Sequence, residues 1–87
     1  KISASKSATG HLLGGAGALG LLASIVALQQ QRVPPTINTT CLDAAIPASM
    51  PIVTGNNAVP FAITNALCNS FGFGGHNATI ICRQYVR

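Results

Sequence analysis

Lys6 and His11 carry the side chains best suited to catalysis in the first part of the chain. They stand five positions apart in residues 6–11, KSATGH, and the stretch that follows, residues 12–28, contains no charged residue. A lysine can stabilise nearby negative charge, and a histidine can donate or accept a proton during a reaction. Two such residues at the mouth of an apolar element predict one part of an active site.

Residues 12–31 are predicted to form the one long helix. Apolar side chains fill nearly every face of this segment, which is typical of a helix buried in a large core. Its four glycines lower helix propensity by roughly 1 kcal/mol each relative to alanine, and close packing of backbones would offset that cost. Thr9 or Gly10 is the expected N-cap, which places His11 in the first turn.

A membrane-spanning segment is the alternative explanation of the same stretch. Residues 12–28 are seventeen uncharged residues, whereas a span needs roughly 20 apolar ones. Only the flank at residues 29–32 is polar, and spans usually carry interfacial residues at both ends. We therefore expect no membrane span, with a small membrane-interacting peptide as the competing hypothesis.

The remaining residues predict short strands and loops. Residues 1–5 alternate apolar and polar side chains, a weak strand pattern. Tandem prolines end the helical region, and residues 38–57 contain the proline and glycine signals of a loop. Residues 59–69 and 78–86 predict two strands joined by a tight connection at residues 70–75, SFGFGG. The last third is therefore expected to be a β-hairpin.

The composition excludes several classes of function. Asp43 is the only acidic side chain, so paired-carboxylate catalysis, calcium loops and carboxylate-held magnesium sites cannot be built from this chain alone. The net charge of +4 comes from five basic residues without a cluster, so no nucleic-acid partner is expected. Charged residues are only 7% of the chain, against roughly 25% in ordinary globular proteins. This shortage indicates the interior of a longer protein.

The three cysteines, Cys41, Cys68 and Cys82, form neither a metal-binding nor a disulfide pattern. Their number is odd and their spacing lacks the pairs of a zinc site. Free buried thiols of a protein in a reducing compartment are the favoured interpretation. We expect no metal and no cofactor.

Three blocks of the sequence resemble one family in their order and approximate spacing. They are residues 6–17, KSATGHLLGGAG, residues 33–38, VPPTIN, and residues 68–79, CNSFGFGGHNAT. Together they are similar to the C-terminal part of beta-ketoacyl-[acyl carrier protein] synthases, of the discrete type that elongates fatty acids. Modular polyketide synthases resemble the chain less well, because their glycine turn usually differs from NSFGFGG. On this resemblance, residues 1–87 are a C-terminal fragment of a synthase domain.

The resemblance implies an α/β chain: the last strand, buried helix and terminal hairpin of a thiolase-like layered fold, incomplete on its own. Family members form an acyl-enzyme on a cysteine, decarboxylate a malonyl thioester and join the resulting carbanion to the acyl group. Their nucleophilic cysteine and first catalytic histidine lie upstream of this region, so the isolated chain is expected to be inactive. The implied partners are acyl carrier protein, bearing acyl and malonyl thioesters, and a second copy in a homodimer. The implied location is the bacterial cytoplasm, a mitochondrion or a plastid.

The resemblance also assigns roles to individual residues. His11 corresponds to the second active-site histidine, whose neutral imidazole donates a hydrogen bond to the thioester carbonyl. Lys6 corresponds to the lysine that organises the site electrostatically. Phe73 corresponds to the gating phenylalanine, whose amide helps to form the oxyanion hole. The glycines of the same turn are Gly72, Gly74 and Gly75. Without the motif, Lys6 would be read as a solvated lysine and His11 as a histidine satisfied by a nearby carbonyl.

Two neighbours of the glycine turn are expected to be structural. Phe71 is predicted to pack in the core, as phenylalanines usually do. His76 corresponds to a position that varies in the family, and we interpret it as structural.

Gly20 departs from the family pattern. Family members commonly carry a glutamate at this place, nine residues after the histidine and close to the lysine. A non-catalytic homologue, acting as a structural or chain-length partner in a dimer, is therefore the alternative to an active condensing enzyme. The upstream sequence distinguishes the two, because a synthase without its nucleophilic cysteine cannot elongate.

Overall fold

The computed structural model describes all 87 residues. One helix packs on a β-hairpin, and a second, smaller antiparallel sheet joins the middle of the chain to the end of the helix. In chain order the elements are α1 (Lys6–Thr9), a 3-10 turn (Leu13–Gly15), α2 (Ala16–Gln30), β1 (Arg32–Val33), β2 (Val59–Pro60), β3 (Asn65–Gly72) and β4 (His76–Arg83). The expected mixed α/β class is confirmed.

The long helix is shorter than predicted. Regular α-helix begins at Ala16 rather than at residue 12, and a 3-10 turn precedes it. Two consecutive glycines, Gly14 and Gly15, explain the difference because glycine loses the most backbone entropy on entering a helix. At the other end Gln31 adopts the left-handed conformation, with φ 52° and ψ 42°, and its N–H donates to the carbonyl of Ala27. Helices commonly end in this way, although usually on glycine.

Most of α2 lies exposed in this chain. Only Ala27 and Leu28 are buried within the helix, whereas Leu22 retains 54% of its accessible surface and Val26 45%. Within this chain the helix is therefore not enclosed by a core, and its burial in the core of a longer protein stays a prediction. A helix that is apolar on every side but covered on only one leaves an uncovered apolar surface.

Close packing joins α2 to the hairpin. A Cβ atom built on Gly17 would lie 3.5 Å from the Ser70 hydroxyl oxygen, and one built on Gly20 would lie 3.1 Å from the sulfur of Cys68. Contacts therefore advance along α2 while they go back along β3. The helix runs antiparallel to β3, and its N-terminal end lies at the end of the hairpin that carries the turn.

The hairpin is confirmed, with different boundaries. β3 starts at Asn65 and continues through Phe71 and Gly72, so the predicted connection at residues 70–75 shrinks to a turn at residues 73–75. The strands pair from Asn65 opposite Arg83 to Gly72 opposite His76. Such tight closure needs positive φ in the turn, which glycine supplies without strain. The first residues of the predicted strand, Val59 and Pro60, belong instead to β2, which pairs with β1.

The N-terminal residues do not form the predicted strand. Residues 1–5 contribute one parallel bridge, between Ile2 and Ile52, and the chain turns into α1 at Lys6. A second bridge joins Thr36 to Thr54. The loop at residues 38–57 is confirmed, with its last part tied to the N-terminal segment.

Residues Leu13–Gln30 have the length and composition of a membrane span, and 11% of this window is buried in the chain. The core helix of a water-soluble protein has the same properties, so this observation alone decides little. The close contacts of Gly17 and Gly20 with the hairpin give one face of the segment a protein neighbour.

Candidate functional site

Lys6 is the first residue of α1, and its side chain is exposed. The helix ends after one turn, where the N–H of Gly10 donates to the carbonyl of Lys6 at 2.9 Å. Gly10 has φ 75° and ψ 177°, a region that is essentially restricted to glycine. Gly10 therefore sets the direction in which the chain leaves Lys6 and reaches His11.

His11 lies between α1 and the 3-10 turn, not in the first turn of α2. The expected capping by Thr9 or Gly10 is wrong, because Gly10 ends the preceding helix instead. The Nδ1 atom of His11 accepts a hydrogen bond from the backbone N–H of Leu13 at 2.9 Å. An accepting Nδ1 carries no proton, so Nε2 holds the ring hydrogen and is the free donor. The exposed imidazole therefore has Nε2 as its remaining hydrogen-bond donor.

Lys6 and Gly20 line the same small cavity. It has a volume of about 20 Å³ and is closed by α1 on one side and by the start of α2 on the other. The structure thus brings the lysine together with Gly20, the position at which the sequence resemblance implies a carboxylate.

The glycine turn forms the second part of the site. Phe73 stands at its first position with 91% of its side chain exposed. Gly74 and Gly75 follow, each with φ 82°. Gly72 closes the ladder opposite His76, and the imidazole of His76 lies over Gly74, where a Cβ would be 3.7 Å from the ring. No residue other than glycine fits the two central positions without backbone strain.

The start of α2 lies beside the part of β3 that leads into the glycine turn, with Gly17 next to Ser70. The antiparallel direction of α2 and β3 brings the segment before the helix towards the turn after β3. A groove of about 610 Å³ runs along this seam, and its walls include Lys6, Gly20, Cys68 and Phe71. His11 and Phe73 are not among its lining residues; both side chains are exposed.

Side-chain hydrogen bonds that the sequence did not reveal fix the Lys6 segment. The hydroxyl of Ser7 accepts from the N–H of Ile37 at 2.9 Å, and the side-chain amide of Asn38 donates to the carbonyl of Ser7 at 3.1 Å. Thr36 accepts from the N–H of Ala4 at 2.9 Å. These contacts join two of the recognised sequence blocks, residues 6–17 and residues 33–38. The only sequence signal for these bonds is the presence of serine and threonine next to loops, where their hydroxyl groups often bond to the backbone.

Two further predictions are corrected by the structure. Phe71 is not a core residue in this chain, because 75% of its side chain is exposed. The thiols are free, but none is fully buried: Cys41 is exposed, and Cys68 and Cys82 are partly buried. Phe71 and Cys68 both line the groove between α2 and β3. The chain also contains no cluster of three or more residues arranged to hold a metal ion.

Comparison with known proteins identifies similar sequences over nearly the whole chain. Residues 1–40 match the family model described as beta-ketoacyl synthase, C-terminal domain. The chain is 42% identical over 84 residues to 3-oxoacyl-[acyl-carrier-protein] synthase 2 of Synechocystis sp.. It is 38% identical over 85 residues to the synthase of the same name from Staphylococcus aureus. The chloroplastic 3-oxoacyl-[acyl-carrier-protein] synthase II of Arabidopsis thaliana is 40% identical over 85 residues.

These alignments cover little of the relatives. They include 97% of this chain but 20% of the Synechocystis protein, and 98% of this chain but 15% of the Arabidopsis protein. The chain therefore spans a fifth or less of the length of the synthases to which it is similar.

Proposed function

We infer that the polypeptide containing this chain, which belongs to the beta-ketoacyl synthase family, is a condensing enzyme of fatty-acid elongation. It would join a malonyl thioester, with loss of carbon dioxide, to an acyl group held on the enzyme. Residues 1–87 would be a C-terminal fragment of its synthase domain, forming the last layers of a thiolase-like fold. The identities of 38–42% to elongating synthases support this proposal.

In this proposal His11 stabilises the negative charge that develops when the malonyl group loses carbon dioxide. The thioester oxygen gains charge as the enolate forms, and a preorganised N–H donor stabilises it more strongly in the transition state than in the ground state. The hydrogen bond from Leu13 to Nδ1 is the single observation that best supports this role. It leaves Nε2 as the donor and fixes the ring before substrate arrives.

The test compares His11→Ala with His76→Ala in the complete protein. Loss of one oxyanion donor lowers kcat by about two to three orders of magnitude, so His11→Ala should nearly abolish malonyl decarboxylation and condensation. His76 is also exposed, and it is interpreted as structural rather than catalytic, so its alanine variant should lose far less activity. Full turnover by His11→Ala would refute the assignment.

Lys6 is proposed to act by its charge rather than by attack on substrate. An ammonium group near the reacting carboxylate or thioester lowers the energy of negative charge there. The cavity beside Lys6 supports a position next to the His11 segment. Lys6→Ala should reduce kcat. Lys1 stands at the other end of residues 1–6, and Lys1→Ala should leave kcat unchanged.

Phe73 and its glycine turn are proposed to gate the acyl pocket. Gly74 and Gly75 permit conformations that allow the turn to move or to approach substrate closely. The 91% exposure of Phe73 supports a side chain that is free to contact another part of the protein or an acyl chain. The Phe73 amide is the proposed second donor to the thioester oxygen.

Acyl carrier protein bearing acyl and malonyl thioesters is the proposed partner, because the names of the similar synthases specify it. We further propose a homodimer without a membrane span, located in the bacterial cytoplasm, a mitochondrion or a plastid. The isolated chain should be inactive, because none of Cys41, Cys68 and Cys82 lies in a nucleophile motif. Condensation by the 87-residue chain alone would contradict this proposal.

A non-catalytic homologue is the second candidate, favoured by one observation. Gly20 provides no carboxylate beside Lys6, although the two residues share a cavity. An inactive family member would serve as a structural or chain-length partner in a dimer. Activity of the complete protein with acyl and malonyl carrier proteins decides between the two candidates.

A further inference from the structure

We propose that Asn38 is a positioning residue, which holds the one-turn helix α1, and with it Lys6, in the orientation that the reaction requires. This inference rests on the proposed function, because only that proposal gives the charge of Lys6 a role in the reaction. Asn38 would not contact substrate itself. It acts through the backbone of α1, which begins at Lys6.

The helix α1 has little structure of its own to fix its direction. It comprises four residues, Lys6–Thr9, and none of them is buried. A single helical turn is unfavourable in isolation, because few hydrogen bonds compensate for the ordering of its backbone. The segment before it contributes one bridge, between Ile2 and Ile52. Within this chain, polar contacts from other segments therefore determine where α1 points.

Residues 36–38 supply such contacts. The Nδ2 atom of Asn38 donates to the carbonyl of Ser7 at 3.1 Å, and the N–H of Ile37 donates to the Ser7 hydroxyl at 2.9 Å. The same hydroxyl donates to the carbonyl of Ala4 at 2.8 Å. The last carbonyls of a helix have no donor within the helix, so the amide of Asn38 acts as a side-chain cap of α1. The residue after Lys6 is thereby bonded to both Ile37 and Asn38.

The backbone conformation of Asn38 makes a precise substitution possible. Its φ is 60°, a left-handed conformation that glycine adopts freely and asparagine tolerates better than most residues. Asn38→Gly would therefore keep the path of the chain and remove the amide that contacts Ser7. Relief of the left-handed conformation opposes the loss of the hydrogen bond, so the melting temperature should change little.

The experiment is a double-mutant cycle in the complete protein. It measures kcat, KM and the melting temperature for Asn38→Gly, Lys6→Ala and the double variant. Small displacements of catalytic groups lower rates strongly, so Asn38→Gly should reduce kcat for condensation about tenfold. KM should change less, because the charge of Lys6 is proposed to act on the transition state. In the Lys6→Ala background the same substitution should change kcat by less than about twofold, because the side chain that Asn38 positions is already absent.

Asn56→Gly is the matched control. Asn56 is likewise exposed and belongs to the same loop, and its substitution should leave kcat, KM and the melting temperature unchanged. A loss of kcat in Asn38→Gly that recurs in full in the Lys6→Ala background overturns the inference, because a merely structural effect is additive. An unchanged kcat for Asn38→Gly, or for Lys6→Ala, overturns it as well.

If Asn38→Gly does not fold, Ser7→Ala takes its place in the cycle, since it removes the hydroxyl that Ile37 contacts. A loss of kcat that disappears in the Lys6→Ala background supports the inference, and one that persists overturns it. The proposed function is tested separately by the unmodified protein. If the unmodified protein does not condense, the proposed function is refuted; if it condenses and only the cycle fails, the function stands without this role for Asn38.

Discussion

Gln31 and Ile63 are joined by two hydrogen bonds between a side-chain amide and a backbone. The Nε2 atom of Gln31 donates to the carbonyl of Ile63 at 2.9 Å, and the N–H of Ile63 donates to Oε1 of Gln31 at 2.7 Å. The same Nε2 atom also donates to the carbonyl of Leu28 at 2.7 Å, one of the last carbonyls of α2. The pair ties the end of the helix to the segment that leads into β3, and it explains why a non-glycine residue tolerates φ 52°.

Gln31→Glu should destabilise the protein by about 1–3 kcal/mol. The substitution keeps the shape of the side chain but replaces the donating amide by a carboxylate oxygen that faces two carbonyl oxygens. Gln30→Glu is the matched control, because Gln30 is exposed at the preceding position. Thermal unfolding of the complete protein should show a lower melting temperature for Gln31→Glu only. Equal melting temperatures would mean that the Gln31 bonds contribute nothing to stability.

Gly10→Ala should lower both stability and activity. No atom lies within 4 Å of a Cβ at Gly10, so the cost arises from its backbone conformation, which a residue with a side chain adopts only with about 1–3 kcal/mol of strain. Relief of that strain would turn His11 away from its present direction. The variant should therefore show a reduced melting temperature and a reduced kcat.

Gly14→Ala is the control for Gly10→Ala, because it also replaces a glycine by alanine but at a position without positive φ. A Cβ at Gly14 would also have no atom within 4 Å, but the φ of Gly14 is not positive. We expect Gly14→Ala to keep near-normal stability and activity. A Gly10→Ala protein as active and stable as Gly14→Ala would show that the chain path between Lys6 and His11 is not important.

The sequence predicted the main elements better than their limits. The helix and the hairpin follow from long apolar segments and from a glycine turn between strand-forming residues, which are local signals. The start of α2 at Ala16 could not be placed, because helical and 3-10 turns over a glycine pair differ little in energy. The special role of Gln31 could not be found either, since its partner Ile63 lies 32 positions away.

The candidate site was predicted from motifs, and its geometry was not. His11, Lys6 and the glycine turn were identified by their family resemblance. The tautomer of His11 depends on a bond from Leu13 that arises only once the chain bends between the two helices. Burial was overestimated at Phe71 for a similar reason: composition shows that a residue is apolar, but not which part of a longer protein covers it.

Phe73→Ala should alter acyl-chain use without lowering stability. The side chain is 91% exposed, so its removal leaves no cavity within this chain, and the melting temperature should be unchanged. Loss of the proposed gate should lower kcat/KM for acyl transfer by about tenfold, since substrate positioning contributes on that scale or more. The measurement is the rate of acyl-enzyme formation with acyl carrier proteins that bear short or long acyl chains.

Tyr85→Ala is the control for removal of an exposed aromatic ring, because Tyr85 is 85% exposed and lies beyond β4. It should leave the rates for all chain lengths unchanged. A Phe73→Ala enzyme with an unaltered chain-length profile would exclude a gating role.

The uncovered face of α2 gives a test of the proposed position of this chain in a larger fold. Leu28 is 3% exposed and Leu22 is 54% exposed. Within this chain, therefore, only Leu28→Ala should lower the free energy of unfolding by the 2–5 kcal/mol, roughly, that is typical of a leucine truncated in a core. If the remainder of a thiolase-like domain covers the helix, Leu22→Ala in the complete protein should lower the melting temperature as much as Leu28→Ala does. An exposed leucine, in contrast, changes stability by no more than about 0.5 kcal/mol. A complete protein in which Leu22→Ala unfolds at the temperature of the unmodified protein would therefore show that this face stays in solvent, and the proposed layered architecture would be wrong.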